Sequence, residues 1–212
     1  MYHYKHIIIA AQGPILRITL NRPEALNALN EVVHQELSIA FDHYASDSKL
    51  CVAVIRGIGE RAFCTGSDLK ERAVKAEAST YAGGYAGLLQ RFDLHKPIIA
   101  AVNGHAIGGG LEIVLACDLA ISVAHAKFGL PEPRVGLVAT GGLHRLARSI
   151  PLKHAMHIAS SGRLFSAAKA LDYGLINAVV DPDRLDAEVE QSIEEILAGT
   201  PLAIMAIKQM ML

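Results

Sequence analysis

The sequence predicts an α/β fold, because apolar runs of strand length alternate along it with segments of helical period. Cys51-Val-Ala-Val-Ile-Arg-Gly57 is a continuous apolar run closed by glycine, the mark of a strand covered on both faces, and Ile98-Ile-Ala-Ala-Val102 repeats it. A third observation is a change of texture near residue 150, beyond which the pattern reads as helices only.

The elements follow in order. Ile15 to Leu20 reads as a strand ended by the turn Asn21-Arg22-Pro23. Leu29, Val33, Leu37, Ala40 or Phe41, and Tyr44 recur at helical spacing, with Asn30 as the N-cap and Glu31 in the first turn. A helix begins near Gly110 and is followed by the strand Asp118 to Val123. Later helices are expected over Pro151 to Ser160, over Ser166 to Tyr173 closed by Gly174, and over Asp183 to Leu197 closed by Gly199. Residues 1–150 therefore read as a core and 151–212 as a helical C-terminal part, with no low-complexity tract, exact repeat or flexible linker between them.

Composition narrows the function. With 212 residues the chain is long enough for a full core. Twenty basic residues against 21 acidic ones leave a net charge of -1, which gives no long-range field for nucleic acid or an anionic membrane. Any anionic ligand must be met locally. The N-terminal apolar run is too short for a signal sequence and no stretch reaches transmembrane length, so a soluble, cytoplasmic protein is expected. Cys51, Cys64 and Cys117 are odd in number and unclustered, which points to reduced, buried thiols. A 51% hydrophobic content without a membrane span predicts apolar surface hidden between subunits.

The chemistry concentrates in Ala100-Ala-Val-Asn-Gly-His-Ala-Ile-Gly-Gly-Gly-Leu-Glu112 and in Phe128-Gly-Leu-Pro-Glu132. An apolar strand enters three glycines and opens a helix, leaving bare backbone N–H groups beside a carboxylate, the parts of an oxyanion site. Glutamate in a first helical turn ordinarily complements the macrodipole, and one after proline in a turn is ordinarily solvated, so position alone does not make either residue catalytic. The glycine run lacks the spacing of a dinucleotide or phosphate loop. His105 and His144 have no second ligand at helical or hairpin spacing, so no metal site is expected. Ser67 lacks the glycine two residues on that a nucleophile elbow requires.

Asn21-Arg-Pro-Glu-Ala-Leu-Asn27, Ala62-Phe-Cys-Thr-Gly-Ser-Asp-Leu-Lys70, Ala101 to Glu112 and Phe128 to Glu132 resemble, in order and spacing, four signature blocks of the enoyl-CoA hydratase/isomerase (crotonase) superfamily. Gly162-Arg163 and Ala167 to Asn177 extend the resemblance over nearly the whole chain. It implies a spiral of ββα units with a helical C-terminal part, assembled as a homotrimer or hexamer. It also implies an oxyanion hole formed by the backbone N–H groups of Ser67 and Gly109, with Gly66 and Gly108 among the residues that bind the CoA substrate. Only the backbone of Ser67 is called on, so its hydroxyl is expected to be idle. Glu24, Ala25, Leu26, Asp68, Leu69 and Lys70 match segments lining the coenzyme A cleft, with Lys70 and Arg22 nearest the phosphates. Glu112 and Glu132 match the two glutamates that hydratases place around a water.

The resemblance thus implies hydration of a 2-enoyl-CoA, or the reverse dehydration of a 3-hydroxyacyl-CoA, with no cofactor beyond the substrate's own coenzyme A. An enoyl-CoA isomerase, or a catalytically weak member binding an acyl-CoA or a macromolecule, is the alternative. Two departures stand out. Pro131-Glu-Pro-Arg-Val-Gly136 is similar to the carnitinyl-CoA dehydratase-like branch, and Gly136 to Gly142 is one residue shorter than usual, without the usual proline. The chain also stops inside the first of the family's last helices, so the C-terminal part is expected to be truncated relative to the family.

Overall fold

The computed structural model describes residues 3–69, 71 and 82–211. The described residues form two sheets built in the same repeating stroke. A strand in a large sheet is followed by a short strand in a small one, and a helix or loop then leads back.

The large sheet has the order β1-β2-β3-β5-β7-β10 and the small one β4-β6-β8-β9. Strands β1 (Ile7–Gln12) and β2 (Ile15–Leu20) form an antiparallel hairpin. From β2 onward the large sheet is parallel, through β3 (Val52–Gly57), β5 (Ile98–Val102), β7 (Leu119–Val123) and β10 (Ala178–Val180). Its central strands β3, β5 and β7 are buried on both faces, which is why they read as apolar runs, whereas β2 buries only alternate residues. In the small sheet β4 (Ala62–Cys64), β6 (His105–Ile107) and β8 (Lys127–Gly129) lie parallel, and β9 (Phe165–Ser166) adds antiparallel to β8. The pairs β3–β4, β5–β6 and β7–β8 are successive turns of a spiral, as the family resemblance implies.

Two buried asparagines fasten the turns where the chain passes from one sheet to the other. Asn103 accepts from Gly57 N–H at 2.9 Å and donates to the Gly59 carbonyl at 2.6 Å. Asn27 donates to the carbonyls of Ile58 and Ala62 at 3.1 and 2.8 Å. Each would cost on the order of 1–3 kcal/mol to leave unpaired, so the corner is held by side-chain amides where no ladder can run.

Helix α1 (Glu31–Ser46) starts at Asn30, whose side chain accepts from Val33 N–H at 3.0 Å, and buries Val33, Leu37, Ala40, Phe41 and Tyr44. Helix α2 (Gly109–Ala116) has all eight residues buried, consistent with a segment too apolar to show an amphipathic stripe. Further on lie α3 (Leu143–Ser149), α4 (Leu152–Ser161), α5 (Ala167–Asp172), α6 (Leu185–Leu197) and α7 (Pro201–Met211). Lys208 of α7 donates to Asp118 Oδ2 at 2.7 Å and to the Lys96 carbonyl at 2.9 Å, tying that helix to the entry of β5.

The helices-only reading of residues 151–212 needs correction. β9 and β10 lie in that stretch, and Asn177 fixes β10 by exchanging two 2.8 Å bonds with Ala120. Strands of two and three residues carry no periodicity, and what creates β10 is the row of unpaired donors and acceptors on the outer edge of β7. The thiols also differ in part from expectation. Cys64 is buried, whereas Cys51 and Cys117 are half-buried, and all three are free. No helix among the described residues is long and apolar enough to cross a membrane.

Candidate active site

Beyond β4 the chain enters Thr65-Gly66-Ser67-Asp68 in an extended bridge alongside Leu29. Leu29 N–H donates to the Gly66 carbonyl at 2.8 Å and Asp68 N–H to the Leu29 carbonyl at 2.9 Å, so the Ser67 N–H between them faces away from Leu29. Gly66 has φ +87, and a Cβ there would come within 3.0 Å of the Gly109 nitrogen. The Ser67 loop and the start of α2 are therefore in contact, backbone to backbone. Gly108 has φ +58, donates its own N–H to the Gly129 carbonyl at 2.8 Å and accepts the first helical bond from Glu112 N–H at 3.1 Å. The N–H of Gly109, at the first helical position, has no partner within its helix.

The two glutamates stand on different elements, Glu132 against Gly108 and Glu112 against Gly141 and Gly142. Glu112 is 6% exposed, and its Oε1 accepts from the N–H groups of Gly141 and Gly142 at 2.9 and 2.6 Å. Glu132 leaves a single 3-10 turn, Glu132–Val135, and its Oε1 lies 2.9 Å from where a Cβ on Gly108 would sit. Its Oε2 is buried with no hydrogen-bond partner among the described residues. Burial raises the pKa of both carboxyls above the usual carboxylate range. For Glu112 the two glycine N–H groups work against that rise and the charge on Glu132 adds to it. Of the two carboxyls, Glu112 has the more N–H donors to support a charge.

Sequence reasoning did not find Tyr85. Its hydroxyl lies 3.2 Å from Ser67 Oγ, and a Cβ added to Gly109 would overlap that hydroxyl and its ring. Ser67 Oγ, expected to be idle, has a partner. The Tyr85 phenol is held well above its ordinary pKa, first by burial. Nor did the sequence single out Gly141 and Gly142 as carboxylate donors. Tyr85 sits in a short irregular segment, and the glycines act through backbone alone, so neither leaves a pattern in the sequence.

The expected cleft residues fall in two groups. Glu24, Ala25 and Leu26 form a turn brought against the Gly66 loop, where Thr65 Oγ1 donates to the Leu26 carbonyl at 3.3 Å. Glu24 and Leu69 are exposed, and Lys70 lies outside the described residues. Asp68 is paired with Arg22 at 3.0 Å, and Arg22 also donates to the Ala28 carbonyl at 2.7 Å. That guanidinium helps to fasten the loop.

Two sheets linked by successive strand pairs, with a buried helix opened by glycines between them, define a class of mixed α/β protein. The sequence profile described as enoyl-CoA hydratase/isomerase matches residues 10–212. The (E)-benzylidenesuccinyl-CoA hydratase of Thauera aromatica is 40% identical over 206 residues, 96% of this chain and 80% of that protein. The carnitinyl-CoA dehydratase of Proteus mirabilis strain HI4320 is 40% identical over 204 residues, 95% of this chain and 78% of that protein. The crystal structure of enoyl-CoA hydratase from Mycobacterium tuberculosis H37Rv superposes with a TM-score of 0.91 at 39% identity, covering 97% of this chain and 81% of that one. The chain belongs to the enoyl-CoA hydratase/isomerase family.

Proposed function

We propose that the protein adds water across the double bond of a 2-enoyl-CoA thioester, or removes it from a 3-hydroxyacyl-CoA. That it is a hydro-lyase acting on CoA thioesters is supported by the family match and by relatives that are themselves hydratases and dehydratases. The finer mechanism rests on one observation above all, the Glu132 carboxyl seated against Gly108 with Glu112 near enough to feel its charge.

In this reading the Ser67 and Gly109 N–H groups receive the thioester oxygen. Polarising that carbonyl makes the β-carbon electrophilic and stabilises the negative charge that gathers on oxygen as water attacks. One preorganised donor of this kind is worth about 2.7–4 kcal/mol. Glu112, with two N–H donors on its Oε1, serves as the carboxylate that takes a proton from water. Glu132, buried and without such donors on Oε2, supplies the proton to the α-carbon. Hydration by this route calls for no metal ion or added cofactor. Leaving apolar Val135, Val138, Leu152 and Met156 exposed supports a homotrimer or hexamer, and the free thiols support a cytoplasmic setting.

The test is a turnover screen over short, medium and carnitine-type enoyl-CoAs, followed as loss of the conjugated thioester absorbance. Hydration of at least one is expected. Double-bond migration without hydration would replace this reading with an isomerase that needs one acid.

A further inference from the structure

Two-carboxylate hydration makes no use of Tyr85, yet its hydroxyl stands inside the site. The ring is fixed from behind by an edge contact with His34 at 4.6 Å and 73°. His34 Nδ1 in turn accepts from Ala86 N–H at 2.9 Å, which ties the next residue of the same segment to α1. The Tyr85 carbonyl accepts from Leu88 and Leu89 N–H, each at 3.2 Å. A hydroxyl anchored this firmly is aimed rather than stray. It points at the two residues proposed to hold the thioester, lying 3.2 Å from Ser67 Oγ and against the front of Gly109.

Two hydroxyls that share one hydrogen bond carry two protons between them and spend one. If Ser67 donates to Tyr85, the phenol proton is left to point into the space beside Gly109. Burial keeps that phenol neutral, so it is a donor throughout the neutral pH range. A hydrocarbon chain drawn across it would leave that proton without a partner, whereas an oxygen on the chain would accept the bond. Both glutamates lie close enough to act on the Tyr85 phenol electrostatically, so a carboxylate substituent would meet like charge there.

We propose that the Tyr85–Ser67 hydroxyl pair sets acyl specificity, donating a hydrogen bond to an uncharged oxygen-bearing substituent on the acyl chain a few atoms beyond the thioester. This deepens the hydratase reading and rests on it for the placement of the thioester. Tyr85 is a specificity-determining residue in this scheme, and the proton transfers remain with the glutamates.

The cleanest probe exchanges one atom. 4-Methoxybut-2-enoyl-CoA and hex-2-enoyl-CoA have the same shape and differ by an oxygen in place of a methylene. Wild type is expected to favour the ether in kcat/KM by about tenfold, the worth of one hydrogen bond to an otherwise unpaired donor. Tyr85→Phe, which keeps the ring, should erase most of that ratio, and Ser67→Ala should lower it less. Calorimetric binding of the saturated pair, 4-methoxybutanoyl-CoA and hexanoyl-CoA, reads the same preference without any reaction. Equal binding of the two by wild type, or an equal loss for both in Tyr85→Phe, overturns the proposal. A binding preference that vanishes in Tyr85→Phe, with no hydration of either enoyl-CoA, would uphold the pair and sink the hydratase reading instead. Hydration of both without preference would do the reverse.

Discussion

Glu112 and Glu132, near enough for the charge on one to raise the pKa of the other, stand on two very different pieces of protein. Glu112 projects from α2, a helix with every residue buried, and its carboxyl is held by two further N–H donors. Glu132 projects from a 3-10 turn with no buried residue, next to exposed Val135 and Val138. One wall is part of the core and the other is part of the surface. A substitution in the first wall is felt by fold and chemistry together, while one in the second is felt by chemistry first.

Adjacent glycines break this contrast most sharply. A Cβ on Gly110 would overlap the backbone carbonyl oxygen of Cys64, which cannot step aside. Gly110→Ala is therefore expected to cost roughly 3 kcal/mol or more of stability, beyond the usual cost of overpacking, read by chemical denaturation. At Gly109 the added atoms meet the hydroxyl and ring edge of Tyr85, a side chain and not the backbone of a neighbouring strand, so Gly109→Val should abolish turnover while lowering the melting temperature less. If the two variants melted alike, the rigid-wall account of α2 would be wrong.

Glu112→Gln and Glu132→Gln come next, each expected to lower hydration about 100-fold or more with acyl-CoA binding kept. Near-full turnover by either would remove the two-acid mechanism. The same variants carry a smaller effect on stability, with a definite sign. Both carboxyls have folded pKa values raised above their unfolded ones, so between the ordinary carboxylate pKa and the raised one the folded chain binds more protons than the unfolded chain. Stability is lost as pH rises through that window. Relative to wild type, each Gln variant should therefore gain in melting temperature on going from about pH 4 to about pH 8. A gain that shrinks with rising pH would contradict the raised pKa values.

The smallest effect belongs to the outer wall. Gly136 has φ +71 with nothing within 4 Å of where a Cβ would go, so Gly136→Ala should cost only about 1 kcal/mol, from backbone strain alone.

What could be read from the sequence follows the same division. The strands Ile15–Leu20 and Ile98–Val102 were legible to the residue because burial on one or both faces writes itself into side-chain pattern. Helix α1, with its Asn30 cap, was legible for the same reason. Strands β4, β6, β8, β9 and β10 were not, since pieces of two or three residues exist only by pairing with neighbours already in place. In the site, Glu112, Glu132 and the glycine turn announced themselves through residue type. The hold of Gly141 and Gly142 on Glu112, and the aim of Tyr85 at Ser67, arise from chain segments 29 and 18 residues away respectively, and no local pattern encodes them.

The late arrival of β10 has a consequence for how the chain comes off the ribosome. Until residues 178–180 have been made, the outer edge of β7 presents its hydrogen-bonding groups to whatever is near, in a parallel sheet that is slow to form. The nascent protein thus carries an open edge while residues 124–177 are being added, and its passage to the native state depends on a strand made well after the one it pairs with.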